Sequence, residues 1–185
     1  MNDSIADVRA RMGKAVDALE HDLLTIRTGR ASPALVESIK VDHYNTATAL
    51  KQLATISVPE ARLIVIQPWD RSAIKAIEKA ILQSDLGINP SNDGTVIRLA
   101  IPQLTEQRRQ ELAKQVKKRV EESKVAVRNI RRDAHEEMRK QERDHTISQD
   151  DLRRGEQELQ KVTDGFVKDL EEIGHRKETE ILAVS

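Results

Sequence analysis

Three stretches of this chain carry apolar residues spaced alternately three and four apart, a pattern that fits amphipathic helix and little else. The first runs Ile5, Val8, Met12, Val16, Leu19, Leu23 and Ile26. The second runs Leu112, Val116, Val120, Val127, Ile130, Ala134 and Met138, and the third Leu152, Leu159, Val162, Phe166, Leu170, Ile173 and Ile181. Such stripes cannot stay in water, so the three helices must bury them on one another as a bundle. Punctuation agrees. Ser4-Ile5-Ala6-Asp7 has the form of a capping box, and Gly29 followed by Ser32-Pro33 is a stop signal. Thr105-Glu106 supplies an N-cap and an acidic first turn for the second helix, which at about 1.5 Å per residue makes a rod of roughly 60 Å. Ser148-Gln149-Asp150-Asp151 is a second capping box, and the short turn around Thr146-Ile147 sets the second and third helices antiparallel. Gly155, Gly165 and Gly174 each cost that third helix about 1 kcal/mol against Ala, so packing must hold it, and its tail is expected to fray.

Between Ala31 and Leu104 the texture changes. Short β-branched clusters at Ile39-Lys40-Val41, Thr55–Val58, Leu63–Ile66 and Val96–Leu99 predict strands. Asp70 can cap a helix carrying Ile74, Ile77 and Ile81, and Asn89–Gly94 reads as turn chemistry. The sequence therefore predicts an α+β fold, an elongated three-helix bundle with a small β/α/β domain inserted between its first and second helices. The bundle takes residues 1–30 and 105–185 and the insertion 31–104. Hinges are expected near 28–32 and 101–105, at Gly29, Arg30, Ala31, Pro102 and Leu104. Aromatic residues make up only 2% of the chain, which excludes a β-sandwich or barrel for most of it. The single Trp, Trp69, reads as core.

Enzyme signatures are missing. There is no Cys, Gly13-Lys14 is followed by Ala15 where a phosphate-binding loop needs Ser or Thr, and no G-x-G-x-x-G or G-x-S-x-G occurs. His135-Glu136 begins like a zinc-binding helix, but the position that needs a second His is Arg139. No catalytic residue, metal or cofactor is expected. The N-terminus has no secretory leader pattern and no apolar run would span a membrane, so a cytoplasmic protein is expected, by default a monomer.

Charge is informative only locally. Lys+Arg and Asp+Glu are both 31, for a net charge of +0. From Arg108 to Arg132, however, ten basic residues face three acidic ones, a net of +7, while Asp133 to Ser185 has nine basic and fifteen acidic, a net of −6. A helix half with that excess is the footprint of a phosphate-rich partner. Arg128, Arg131 and Arg132, at i, i+3 and i+4, form one patch on adjacent turns, and arginine suits phosphate forks. With few aromatics to stack unpaired bases, folded RNA fits better than a single strand. The rival reading is a helical scaffold that grips a protein by its apolar stripe. Binding that weakens steeply with salt would favour RNA.

Three segments carry a resemblance. Ile26-Arg27-Thr28-Gly29-Arg30-Ala31-Ser32-Pro33, Ser84-Asp85-Leu86-Gly87-Ile88-Asn89-Pro90 and Val127-Arg128-Asn129-Ile130-Arg131-Arg132-Asp133-Ala134 resemble the bacterial ribosome recycling factor family, and the similarity covers essentially the whole chain. It implies an L shape similar in outline to tRNA. It also implies binding to the large ribosomal subunit rRNA after termination, followed by splitting of the ribosome with elongation factor G, which hydrolyses the GTP. Carried over by motif, Arg132 is the first rRNA-binding candidate, then Arg128 and Arg131, with Arg109, Lys117 and Arg27 as additions. Arg131 and Arg30 have a competing structural reading, salt bridges to Asp133 and Glu37. Asn45–Leu50 departs from the family's Gly and prolines, and a less rigid loop is expected there.

Overall fold

The computed structural model describes residues 2–183, excluding the side chains of Asn2 and Asp3. It contains four α-helices, α1 (Asn2–Leu24), α2 (Ile74–Gln83), α3 (Glu106–Arg143) and α4 (Gln149–Leu182). Six strands lie between α1 and α3: β1 (Lys40–His43), β2 (Thr46–Ala49), β3 (Ala54–Glu60), β4 (Leu63–Pro68), β5 (Ser91–Asn92) and β6 (Ile97–Ala100). The chain divides into two compact units, Met1–Leu23 with Gln110–Ser185, and Leu24–Arg109.

In the helical unit the apolar stripes are buried, including Met12, Leu19, Val116, Val127, Met138, Leu159 and Leu170. Ion pairs bridge every pair of helices: Arg119 to Asp22 (3.1 Å) joins α3 to α1, Arg9 to Glu158 (4.0 Å) joins α1 to α4, and Lys124 to Glu171 (2.9 Å) joins α3 to α4. A second link, His135 to Glu156 (2.6 Å), makes α3 and α4 antiparallel, since 135 lies after 124 but 156 before 171. The reversal between them is built from local hydrogen bonds. The N–H of Thr146 donates to the carbonyl of Gln141 (2.8 Å) and that of His145 to Glu142 (3.0 Å), with His145 at φ +58, a Schellman termination of α3. The Ser148 hydroxyl then accepts from the Asp151 N–H (3.0 Å) while Asp151 accepts from the Ser148 N–H (3.2 Å), the capping box read from sequence.

Gly174 serves packing. A Cβ there would stand 2.5 Å from Val120 Cγ2, so the missing side chain is what lets α4 approach α3. Two expectations fail in this unit. α1 begins at Asn2, which puts Ser4 and Asp7 inside the helix rather than at its cap, because water can satisfy the exposed N–H groups of a first turn. The end of α4 does not stand clear of the core, since Ile181 is fully buried.

The inserted unit pairs a four-stranded antiparallel sheet, ordered β3-β4-β6-β5, with the β1-β2 hairpin and α2. One sheet face contributes Ile64, Ile66, Ile97 and Leu99 to a core completed by Ile74, Ile77 and Ile81 of α2 and by Val41 and Leu50. Asp70 accepts from the Ser72 N–H (2.9 Å), capping a short 3-10 turn that leads into α2. Three readings need correction. Asn45–Leu50 is not a loop: it contains the whole of β2, paired with β1 across a two-residue turn at Tyr44 (φ +49) and Asn45 (φ +62), a type I′ geometry without its usual glycine. Ser91-Asn92 pairs with β6, and the turn between the two strands is residues 93–96. Trp69 is 70% exposed rather than core. Alternation explains this, because Ile64, Ile66 and Pro68 face inward and residue 69 therefore follows 65 and 67 to the other face.

Candidate nucleic-acid interface

Along α3, residues 114, 118, 121, 125, 128 and 132 recur at steps of four and three, opposite the buried stripe, so Lys114, Lys118, Glu121, Val125, Arg128 and Arg132 share one solvent-facing strip. All six are exposed. From Lys114 to Arg132 the strip is about 27 Å long at the α-helical rise of about 1.5 Å.

Arg128, Arg131 and Arg132 are exposed on adjacent turns, as their spacing requires. Arg132 makes a 3.9 Å contact with Asp133, with both side chains more than half exposed, a geometry that contributes little and leaves most guanidinium donors to solvent. The salt bridges that competed for Arg131 and Arg30 are not formed among the described residues. Arg128 lies near enough to Glu171 to help hold that carboxyl below its ordinary range, after the larger effect of Lys124.

Lys124 differs. Its side chain is 12% exposed, and its ammonium donates to Glu171 of α4 (2.9 Å) and to Glu121 (3.2 Å). The hydrogen bond to Glu171, chiefly, raises its pKa. Arg119 is likewise committed to α1, donating to the backbone carbonyl of Asp22 (3.2 Å) as well as to its carboxylate. Near the helix end, His135 and Arg139 both reach Glu156.

The remaining candidates are dispersed. Lys117 is exposed and lines a shallow cleft with Lys124, Glu171, Gly174 and Glu178. Arg109, half-buried in the first turn of α3, belongs to the inserted unit, and so does Arg27. Arg27 donates to the carbonyl of Leu86 (3.1 Å), and its pKa is lowered first by burial and then by the nearby charge of Arg108. This contact ties the segment after α1 to the Ser84–Pro90 loop, a structural use of a residue that sequence offered as a ligand contact. Sequence reasoning missed Lys114 and Lys118 as members of the strip. Their step of four, continued through 121, 125 and 128 to Arg132, was the available signal.

The hinge candidates cluster around one turn of the inserted unit. Ala31 N–H donates to Ala61 O (2.7 Å) and Ile101 N–H to Arg62 O (2.8 Å), so incoming and outgoing chains are both pinned to the β3–β4 turn. Arg30 and Pro102, immediately outside those pins, are exposed. Gly29 adopts φ +85, a conformation that favours glycine, and Leu104 is buried nearby, its Cγ 3.9 Å from where a Gly29 Cβ would stand.

Among the described residues no cluster of three or more His, Cys, Asp or Glu is arranged to hold a metal, and no helix is long and apolar enough to cross a membrane. The family model described as "Ribosome recycling factor" matches residues 19–182. A ribosome-recycling factor of Chloroflexus aurantiacus is 56% identical over 184 residues, covering 100% of both chains. Among solved structures, a solution structure of the ribosome recycling factor superposes with a TM-score of 0.79 at 44% identity, over 99% of this chain and 97% of that one. Another, described as models for the T. thermophilus ribosome recycling factor and the E. coli elongation factor G bound to the E. coli post-termination complex, gives a TM-score of 0.67 at 44% identity, over 98% of each chain.

Proposed function

The chain belongs to the ribosome recycling factor family, whose members are non-enzymatic translation factors, and from that premise we propose that the outward strip of α3 docks on rRNA of the large subunit. The observation that supports this is the exposed series Lys114, Lys118, Arg128 and Arg132, with Arg131 on the adjacent turn, none of them held by a strong partner. Phosphates can pair with these cations, releasing counterions as they do so. Arg109, Lys117 and Arg27 are secondary contacts in this reading. Elongation factor G then drives the subunits apart, hydrolysing GTP itself, as fits a chain that lacks the phosphate-loop sequence at Gly13-Lys14-Ala15. The inserted unit moves during that step, with Gly29, Arg30 and Ala31 on one strand of the hinge and Pro102 and Leu104 on the other. The site of action is the cytoplasm, and the working form is a monomer.

Co-sedimentation with isolated large subunits across roughly 50 to 200 mM salt tests the docking. Log affinity should fall steeply and linearly with log salt, and Arg128→Ala or Arg132→Ala should each flatten the slope by about one. A nearly flat dependence would return the protein-scaffold reading. Because the chain has no Cys, a pair of introduced cysteines can cross-link the two units without background. If cross-linked protein split ribosomes at the normal rate, the hinge motion would be dispensable while the docking stood.

A further inference from the structure

On the sheet of the inserted unit, the face opposite the core carries exposed side chains. Alternation along the strands places Thr55 and Ser57 of β3, Gln67 of β4, Arg98 of β6 and Ser91 of β5 on it, and all five are exposed. Trp69 follows β4 onto the same face, where its indole N–H donates to Thr55 Oγ1 (3.3 Å). That hydrogen bond satisfies the ring's one polar group and fixes its edge, while the ring stays 70% exposed.

We infer that this face is a stacking platform for an unpaired RNA base, with Trp69 as the ring and Arg98 as the donor to its phosphate. An antiparallel four-stranded sheet with helix on one side and an aromatic ring on the open side is a known way to hold single-stranded RNA. The charge agrees. The two rows nearest the ring, Thr55–Gln67 and Ser57–Val65–Arg98–Ser91, hold one cation and no carboxylate, and Glu60 lies a row further off beside the β3–β4 turn. Arg98 contacts Asp93 (2.9 Å), but that carboxylate also accepts the N–H groups of Thr95 and Val96 (2.9 Å each). Both of those N–H groups go to Oδ1, and Arg98 Nη1 is the partner of Oδ2; the pair is half exposed and engages one nitrogen of the guanidinium, whose other donors are left for a phosphate. The whole unit, residues 24–109, carries eleven basic and eight acidic side chains, a net of +3. A protein-docking surface would place apolar groups around the aromatic anchor. Here the nearest groups are the Thr55 hydroxyl and the Gln67 amide, and the one apolar residue of the two rows, Val65, is half-buried, which suits the edges of a nucleobase.

Trp69 is the only Trp in the chain, so its emission reports on this face alone. The full chain is titrated with a single-stranded oligouridylate of about ten nucleotides and with an RNA duplex of the same length. Saturable quenching by the single strand and not by the duplex is expected, and it should persist in an Arg128→Ala/Arg132→Ala double variant. By anisotropy of a labelled oligonucleotide, Trp69→Ala should weaken binding roughly fivefold or more, and Trp69→Phe should recover most of the loss. Emission unchanged up to about millimolar oligonucleotide, equal quenching by duplex, or equal affinity in Trp69→Ala would overturn the inference. So would an emission change produced by elongation factor G or RNA-free ribosomal protein but not by RNA, which would assign the face to a protein. The double variant separates these outcomes from any failure of docking through α3.

Discussion

The two flanks of α3 carry the same kind of residue and use it differently. On the flank toward α4, Lys124 is clamped between Glu121 and Glu171, and His135 and Arg139 share Glu156. On the outward strip, Lys114, Lys118, Arg128 and Arg132 point into solvent. A count of +7 over residues 108–132 treats all ten cations alike. The structure subtracts those already committed, Lys124 to α4 and Arg119 to α1, and what remains on the strip is the charge available to phosphate. Net charge along a sequence therefore locates a docking helix, but only the packing of that helix identifies the docking face.

The largest effect should come from reversing the outward strip. In Arg128→Glu/Arg132→Glu, binding to large subunits should fall at least about 100-fold, since carboxylates at both positions repel the phosphates that the guanidinium groups would attract. The melting temperature should shift by no more than about 1 °C, because surface pairs such as Arg132–Asp133 contribute little. Binding that survived would place the interface elsewhere.

Next comes the seam that holds the two flanks apart. Gly174→Ala puts a methyl group 2.5 Å from Val120 Cγ2, and overpacking of this kind costs about 1–3 kcal/mol, a fall of several degrees in melting temperature. Gly165→Ala, with nothing within 4 Å of the new Cβ, should stabilise by up to about 1 kcal/mol. Thermal melts of the two variants should move in opposite directions.

A smaller effect sharpens the contrast from the acidic side. Glu171→Gln releases Lys124 from its chief partner and removes a negative charge near Arg128, so RNA docking should tighten a few-fold and its salt slope steepen. Weaker docking would mean that Lys124 acts only by ordering the bundle.

The smallest effect is confined to acid. Asp93, with Val96 and Thr95 donating to it and Arg98 beside it, has its carboxyl held below the ordinary range, and so does Asp151 through the hydrogen bonds of its capping box and Arg154. A depressed native pKa means that the unfolded chain takes up protons first. The stability these groups add is thus present above about pH 4 and lost as pH falls through their native values. Asp93→Asn should flatten that acid limb in a pH series of melts while leaving neutral-pH docking unchanged.

Much of this was legible in the sequence. Long stripes with caps at both ends specify helices by local rules, and α3, α4 and the Ser148–Asp151 box follow them. The misses lie where local chemistry is weak or reversed. Tyr44-Asn45 makes a type I′ turn without glycine, and in the four-residue β2 strand-depleted Ala alternates with Thr and no large apolar residue, so the hairpin gave little signal. Trp69 misled because its residue type argues for burial while its parity on β4 argues for exposure, and parity prevailed. In the interface, the cluster Arg128, Arg131 and Arg132 follows from spacing on one helix. The commitment of Lys124 to Glu171 does not, because those residues are 47 positions apart and meet only through the antiparallel return of α4.

Breakdown of post-termination ribosomes, followed by light scattering with elongation factor G and GTP, tests the RNA anchor most directly. The parent chain should split them, and Arg132→Ala should lose most of that rate at unchanged melting temperature. Splitting by Arg132→Ala at the parental rate would contradict the anchor on α3.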